Sequence, residues 1–577
     1  MNRINNKWNC LLFVTAIIIS ATSCKKQLNV GNPNAPTLGI DVTSEAGIIA
    51  LAQGAVYVNG FQNGDVWLGN SYFSLPYGYN ELLGDMIGSD VANQLISQLS
   101  VPDDFVLDNG TTITSATTAK FTLRSNNTRA QTANGYNPTY YQWLNMTALN
   151  DACNTVLSLT DSIPFSADKD KTIKAWCYWW KGYAYASMGT MYYAGLLVDT
   201  VNSVTHISIS NSNYVTKEAT IAHSNYYYNL AISTLNSISS SADYTEVLTQ
   251  LIPSFCQVGH GGVLTPAMWI DNINTMLARN ILLNKLAPFV NSNPAATITA
   301  GTTMTAMTAA DWNDVLTLAT NGVQSSDYVF TGRSVAANGF FTTGSGTIAA
   351  MSTGSLSSST FHLSERFVQD FKTGDQRFAN NFNYDSLPYQ NSFSFGVRYN
   401  LIDGGNGLSA NGVSTYTYGY KASANATGAY ELFIGGNYEE NALMLAEAYI
   451  RTNKIDQGLA YIDAVRAYQG AGDTTVSGKG LTLAQALQEL VMERRVALAF
   501  RGVSFYDARR WGWTYDIANG GGSYGNLLLY TDPNTGKPVL NKNVTINYNF
   551  LDYWDLPADE TLLNPPATGS AAVVNPN

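Results

Sequence analysis

Charge is scarce in this sequence. Asp, Glu, Lys and Arg make up 13% of its 577 residues, and the balance is acidic, with a net charge of -11. A nucleic-acid surface is usually basic, so nucleic acid is disfavoured as a partner. Histidine is scarcer still. His206, His223, His260 and His362 stand alone in the sequence and are expected to be structural or at the surface. Of five cysteines, only Cys153, Cys177 and Cys256 lie beyond residue 24. Three is an odd number, which argues against a disulfide framework; one bridge is open, and buried free thiols are favoured. No spacing suits a metal, and there is no P-loop, HExxH or EF-hand loop. The segment DDFVLDNG (103–110) has acids without calcium-loop spacing. No cofactor and no metal are therefore expected. Beyond the N-terminus there is no apolar run long enough to span a bilayer.

Aromatic residues and glycine are plentiful: 35 Tyr, 11 Trp and 48 Gly. Flat, hydrogen-bonding surfaces with few charges fit neutral polar ligands such as sugars better than phosphates. The N-terminus is more specific. Arg3 and Lys7 precede an apolar run from Cys10 to Ile19, and small residues follow. This is the pattern of a signal peptide, here residues 1–23. Ala21-Thr22-Ser23-Cys24 resembles a bacterial lipobox, although Ala21 stands where Leu is usual. Cys24 is the expected lipidation site, and residues 24–45 read as lipidated Cys and tether. Several acyl chains hold a protein firmly on a membrane, whereas one binds marginally.

Helical periodicity appears in pieces over 140–157, 171–195, 225–238, 268–286 and 311–323. The segment at 171–195 is aromatic nearly all round and should be deeply packed. Residues 437–468 read as a helical hairpin turning at RTNK, with small residues where the helices cross. That is equally the pattern of a tetratricopeptide unit and of a generic helix pair. Strand signals are short and few. The reading is mainly α: one domain over 46–577, with a helical scaffold at about 140–323 and 437–512. Loop-rich regions are expected at about 59–139, 324–436 and 513–577, and a long surface loop or irregular segment at 331–360.

The stretch MERRVALAFRGVSFYDARRWGW (492–513) gathers five arginines among aromatic residues. Its helix is expected to start near Thr482, since Thr482 and Gln485 have capping-box spacing. Leu487, Leu490, Val491 and Leu498 form an apolar stripe, and Arg494 falls in the middle of it. A buried guanidinium needs a carboxylate, because a broken buried pair costs about 3–5 kcal/mol. Asp507 is the nearest sensible partner and Glu493 another. A planar fork able to bridge two partners explains Arg over Lys. A structural clamp is favoured here over an anion-binding or catalytic arginine.

In Glu493, Arg494, Leu498, Ala499, Phe500, Gly502, Asp507, Arg510, Trp511 and Gly512 the stretch resembles, without a gap, the signature helix of the SusD/RagB family of Bacteroidetes outer-membrane lipoproteins. Ala497 and Arg501 stand where that family has Glu, and Ser504 where it has Arg, so the local ion pairs must be rewired. LPADETLLNP (556–565) resembles a C-terminal family motif through Pro557, Glu560, Asn564 and Pro565, with Asp555 in place of a usual Pro. SERFVQDFKTGDQRF (364–378) resembles a segment ending in D-x-R, here Asp375 and Arg377. The hairpin at 437–468 and the helices at 140–157 and 175–195 resemble family segments as well.

The resemblance implies about four tetratricopeptide-like helix pairs with long irregular loops forming a ligand face, a SusD-like fold. It implies a non-catalytic lid on a SusC-like TonB-dependent outer-membrane transporter, taking up an oligosaccharide or peptide nutrient. Outer-membrane, lipid-anchored, cell-surface localisation follows from the same resemblance. Acidic residues often follow the lipid Cys of exported lipoproteins, yet here CKKQLNVGN follows, which leaves the periplasmic face open.

Ligand contacts are sought first in DVWLGNSYFSLPYGYNELLGD (65–85), at Trp67, Tyr72, Tyr77 and Tyr79, and second at Tyr416 and Tyr418. These aromatics sit among Gly and Pro outside any apolar periodicity. Their faces suit the C–H faces of sugar rings, and packing of the loop onto the scaffold is the competing role. GGSYG (521–525) matches G-x-S-x-G, but a glycine run precedes Ser523 where a nucleophile elbow needs a buried strand, so a flexible loop is expected. GHGG (259–262) has no visible catalytic partner. The reading is a binder, not an enzyme; a lipid-anchored glycan hydrolase or a helical adaptor without small ligand are the alternatives.

Overall fold

Helix starts in this chain are set locally by capping residues. A computed structural model of the protein describes residues 44–58, 78–89, 96–99, 101–115, 118–257, 259–333, 361–384, 399–401, 431–472, 474–532 and 534–577. The helices used below are α1 (Glu45–Gln53), α2 (Gly78–Leu83), α3 (Tyr140–Thr160), α4 (Ala167–Met191), α5 (Lys217–Asn236), α6 (Ser241–Leu251), α7 (Pro266–Leu283), α8 (Ala309–Thr320), α9 (Glu365–Gln369), α10 (Tyr438–Arg451), α11 (Ile455–Tyr468), α12 (Leu483–Ala497) and α13 (Ser504–Arg510). Ser166, Thr216, Ser240, Thr265 and Asn437 each accept a backbone N–H at a helix start. Each such bond satisfies one of the donors a helix N-terminus leaves free. Thr308 with Asp311, and Thr482 with Gln485, form full capping boxes.

The fold is mainly α. The scaffold helices pack in succession, α3 on α4, α4 on α5, α5 on α7, α7 on α8, and α8 on α10, with α11 and α12 closing on α10. Small residues permit close crossings. A Cβ at Gly458 would lie 2.5 Å from the Ala446 carbonyl oxygen, and one at Gly182 would lie 2.6 Å from the Tyr228 ring. The hairpin α10–α11 turns at Thr452–Lys454, where Asn453 takes the left-handed conformation. The aromatic segment is core, as expected: Trp176, Trp179 and Trp180 of α4 are fully buried. Trp176 meets Trp269 edge-on with ring centroids 6.3 Å apart, and Trp179 lies 4.7 Å from Phe330. Cys153, Cys177 and Cys256 are buried free thiols.

The sheet content is larger than the sequence reading allowed. Residues 513–577 were expected to be loop-rich, yet β3 (Ser523–Thr531) and β4 (Pro538–Asn547) form a long hairpin. It continues through β1 (Asp104–Val106) to β2 (Thr112–Thr114), in the order β3-β4-β1-β2. The expected loop 331–360 begins as strand Thr331–Arg333, paired with Glu431–Phe433, and residues 334–360 lie outside the described residues. Among the described residues no helix is long and apolar enough to cross a membrane.

Candidate functional site

The five arginines of 492–513 are all buried. Arg494 Nε donates to Asp507 Oδ2 at 2.9 Å, the partner the apolar stripe demanded. Its terminal nitrogens have no hydrogen-bond partner among the described residues, so Arg494 is not the two-partner bridge expected of it. Arg510 is. It donates from Nε to Asp507 Oδ1 at 2.7 Å, and from Nη1 and Nη2 to the two Glu447 oxygens at 2.7 and 2.6 Å. This fastens α13 to α10. Burial works against the Glu447 carboxylate, but Arg510 overrides it and holds the group below its ordinary value. Glu493 does not serve Arg494; it accepts from Arg377 Nη1 at 2.6 Å and from Arg466 Nε at 2.7 Å. Arg377 in turn grips Asp375, with Nη2 to Oδ2 at 2.7 Å, so the D-x-R segment and the signature helix meet in one ion-pair web.

Arg509 has no carboxylate in its hydrogen bonds. Nη1 donates to the Thr190 and Asp552 carbonyls at 2.8 and 2.6 Å, and Nη2 to the Leu283 carbonyl at 2.8 Å. Thr190 and Leu283 end α4 and α7, so one cation caps the negative ends of two helices. The Tyr553 ring lies 4.3 Å from its guanidinium carbon.

The three departures are rewired as follows. Arg501 Nη2 donates to Glu439 Oε1 at 2.9 Å and Nη1 to Asn437 Oδ1 at 2.8 Å, at the start of α10. Gln469 Nε2 donates both to the Ala497 carbonyl and to Glu439, which puts the Glu439 carboxylate beside position 497. Ser504 Oγ donates to the Asn80 carbonyl at 2.9 Å. Its small side chain admits Gly84, where a Cβ would lie 2.6 Å from Ser504 Cβ. These residues hold helices together and are closed to solvent.

The C-terminal motif also ties elements together, but nearer the surface: Glu560 and Asn564 are half-buried and Pro565 is exposed. Trp143 Nε1 and Tyr214 OH donate to the Glu560 carboxylate, each at 3.1 Å, and Asn564 Nδ2 donates to the Asn211 carbonyl at 2.8 Å. Asp555, standing where Pro is usual, accepts from Arg124 Nε at 3.2 Å.

Of the candidate ligand residues, Trp67, Tyr72, Tyr77, Tyr416 and Tyr418 lie outside the described residues, as does Cys24. Tyr79 corrects the expectation. It is 2% exposed on α2, with its ring 6.2 Å from Trp554, so it packs α2 into the core and does not face a ligand. Ser523 is corrected too: it opens β3 and is buried, not part of a flexible loop. A strand follows it rather than a helix, and its Oγ donates to Asn526 Oδ1 at 3.2 Å, so no nucleophile elbow forms there. Among the described residues no group of three His, Cys, Asp or Glu could hold a metal ion.

An open cleft of about 270 Å³ lies between α9, α12, the turn at 289–292 and the start of β3. Two ion pairs form its floor. Arg366 grips both Asp85 oxygens, at 2.7 and 2.6 Å, and Arg495 Nε donates to Asp370. The other Arg495 nitrogens donate to the Gly84 and Asp85 carbonyls at 2.7 and 3.0 Å. Burial pushes the Asp370 carboxyl up to about 6 against the pull of Arg495. The half-buried Trp513 forms a wall, its Nε1 donating to the Phe289 carbonyl at 3.2 Å and its ring 5.4 Å from the Arg495 guanidinium carbon. The rim carries Gln488, Tyr524, Asn291 and Ser292, whose side chains make no hydrogen bond among the described residues. The sequence reading missed this cleft. The one local signal was the glycine run before Ser523.

The helical-hairpin scaffold with its side sheet defines a class, the SusD-like fold. The chain is similar in structure to a SusD superfamily protein from Bacteroides vulgatus (TM-score 0.53, 15% identity, 91% of this chain and 98% of that one). It is similar to a SusD-like carbohydrate binding protein from Bacteroides fragilis (0.53, 11%, 90% and 98%) and to a SusD superfamily protein from the same species (0.52, 12%, 92% and 100%). No curated protein sequence matches the chain. Residues 291–566 match the SusD family model, so just under half of the chain carries that family's sequence pattern, on a SusD-like fold.

Proposed function

We propose that the protein is an outer-membrane lipoprotein, anchored through Cys24 and folded as one unit over residues 46–577. It binds a glycan nutrient and delivers it to a SusC-like TonB-dependent channel without chemical change. The observation that carries the reading is the SusD-like fold across 91% of the chain together with the family match over 291–566. The description of the similar Bacteroides fragilis structure as carbohydrate binding supports the choice of glycan over peptide. The lipobox and the low charge of the chain fit it. Two measurements test it. Purified from native membranes, the protein co-purifies with a large outer-membrane barrel; recovery alone sinks the channel partnership. On a glycan array it retains at least one oligosaccharide, and a reducing-end assay on that glycan stays flat; release of reducing ends would make it a hydrolase, and a blank array would favour an adaptor.

A further inference from the structure

We propose that the cleft beside Trp513 binds one neutral sugar residue. The sugar-binding reading above guides only the choice of probes; the argument for a site rests on the cleft itself. Its floor is electrically balanced, with Arg366 against Asp85 and Arg495 against Asp370. Three of the five Arg495 N–H groups already donate, to Asp370 and to the Gly84 and Asp85 carbonyls, and Asp370 balances its charge, so the floor offers a phosphate or carboxylate ligand no unpaired cation. The rim is the reverse. Gln488, Tyr524, Asn291 and Ser292 present amide and hydroxyl groups that donate and accept, and none is engaged among the described residues. Trp513 is half-buried and held at its indole nitrogen, which fixes the plane of the ring. A fixed aromatic wall with free neutral hydrogen-bonding groups suits a ring with C–H faces and hydroxyl edges.

The backbone around the rim is unusual in two separate places. Asn291 and Ser292 both hold left-handed conformations, φ 51° and 53°, which non-glycine residues rarely take. Such strain concentrates at binding sites. On the opposite side β3 slips register between Ser523 and Asn526 and again before Leu528, with Gly525 at φ 73°. Bulges of this kind re-aim side chains beside sites; here Tyr524 lies inside the slip. Volume sets the ligand size. About 270 Å³ is just below the roughly 300–1,000 Å³ of typical small-molecule pockets, which fits one sugar unit or the end of a chain.

The test uses the full chain and calorimetric titration with glucose, galactose, mannose and N-acetylglucosamine, against glucuronate and glucosamine as charged controls. At least one neutral sugar is expected to saturate, with each charged analogue ten-fold weaker or more. Gln488→Ala and Tyr524→Phe are each expected to weaken that binding several-fold while leaving Tm in place. Failure of all four neutral sugars to saturate, equal binding of the charged controls, or binding that survives both variants overturns the proposal. A positive oligosaccharide array with a cleft indifferent to both variants overturns the cleft and leaves the transport reading standing. A blank array beside variant-sensitive monosaccharide binding does the opposite.

Discussion

Arg494 and Gln488 stand about two turns apart on one helix, and they belong to different regions of the molecule. Around Arg494, from Glu447 to Arg510, charged side chains are buried and paired, and helices are held by carboxylates reaching across the fold. Around Gln488 the charges cancel in the floor and neutral polar groups at the rim stand unpaired. A buried charge without a counter-charge is costly, so the closed region pairs its charges even where single nitrogens, such as the Arg494 termini, lack a hydrogen bond. An open rim need not pair its polar groups, and groups left free there can serve a ligand. The family signature marks the first region, and it is architecture. The second takes its floor from the same two motif segments, 364–378 and 492–513, at Arg366, Asp370 and Arg495, positions outside the matched motif residues.

The sharpest way to break this contrast is Arg510→Met. It strands the Glu447 and Asp507 carboxylates in the core and is expected to cost about 3–5 kcal/mol or to prevent folding, read by chemical denaturation. Arg494→Met should also destabilise rather than merely weaken ligand binding. A folded Arg494→Met protein of normal stability that had lost its ligand would reverse the roles of the two regions.

Glu493→Gln comes next. It removes the carboxylate shared by Arg377 and Arg466 but keeps an acceptor and the shape, and each arginine keeps a second carboxylate in Asp375 or Glu489. A loss of about 2 kcal/mol is expected, with denaturation as the measurement.

A third test uses pH. Glu81 is fully buried, and burial raises its pKa to about 7 against bonds from Gly502 and Phe500. A carboxyl raised in the folded state stabilises below its unfolded value, and that contribution is lost as pH rises through about 7. Wild-type stability should therefore carry a decline between about pH 4.5 and 7, on the order of 3 kcal/mol for this group. Glu81→Gln should flatten it in a pH series of melts, and an unchanged slope would show that Glu81 is not its source. The smallest effect is expected at the rim: Gln488→Ala should leave stability within about 0.5 kcal/mol.

Much of the scaffold was legible because helices are local. The capping box at Thr482 and Gln485, the hairpin over 437–468 and the aromatic faces of α4 need only neighbouring residues to be recognised. The Arg494–Asp507 pair was legible for the same reason, since thirteen residues separate the two. The β3–β4 hairpin was missed because its alternation is broken by two bulges beside a glycine run, which read as loop. Tyr79 was misplaced because its helix draws its burial from Trp554, far along the chain. The cleft was invisible because its walls come from residues 289–292, 366–370, 488–495 and 513–526.

By itself, then, the sequence determined the class of fold, the need for buried partners around its arginines and the neutral polar character of its surface. Those follow from periodicity, capping and composition, which act over a few residues. Tertiary structure alone decided that Arg510 rather than Arg494 bridges two acids, that Arg509 caps two helices without a carboxylate, and that a polar cleft opens beside Trp513. Ion pairs and clefts are made by distances across the fold, and the order of residues along the chain does not contain those distances.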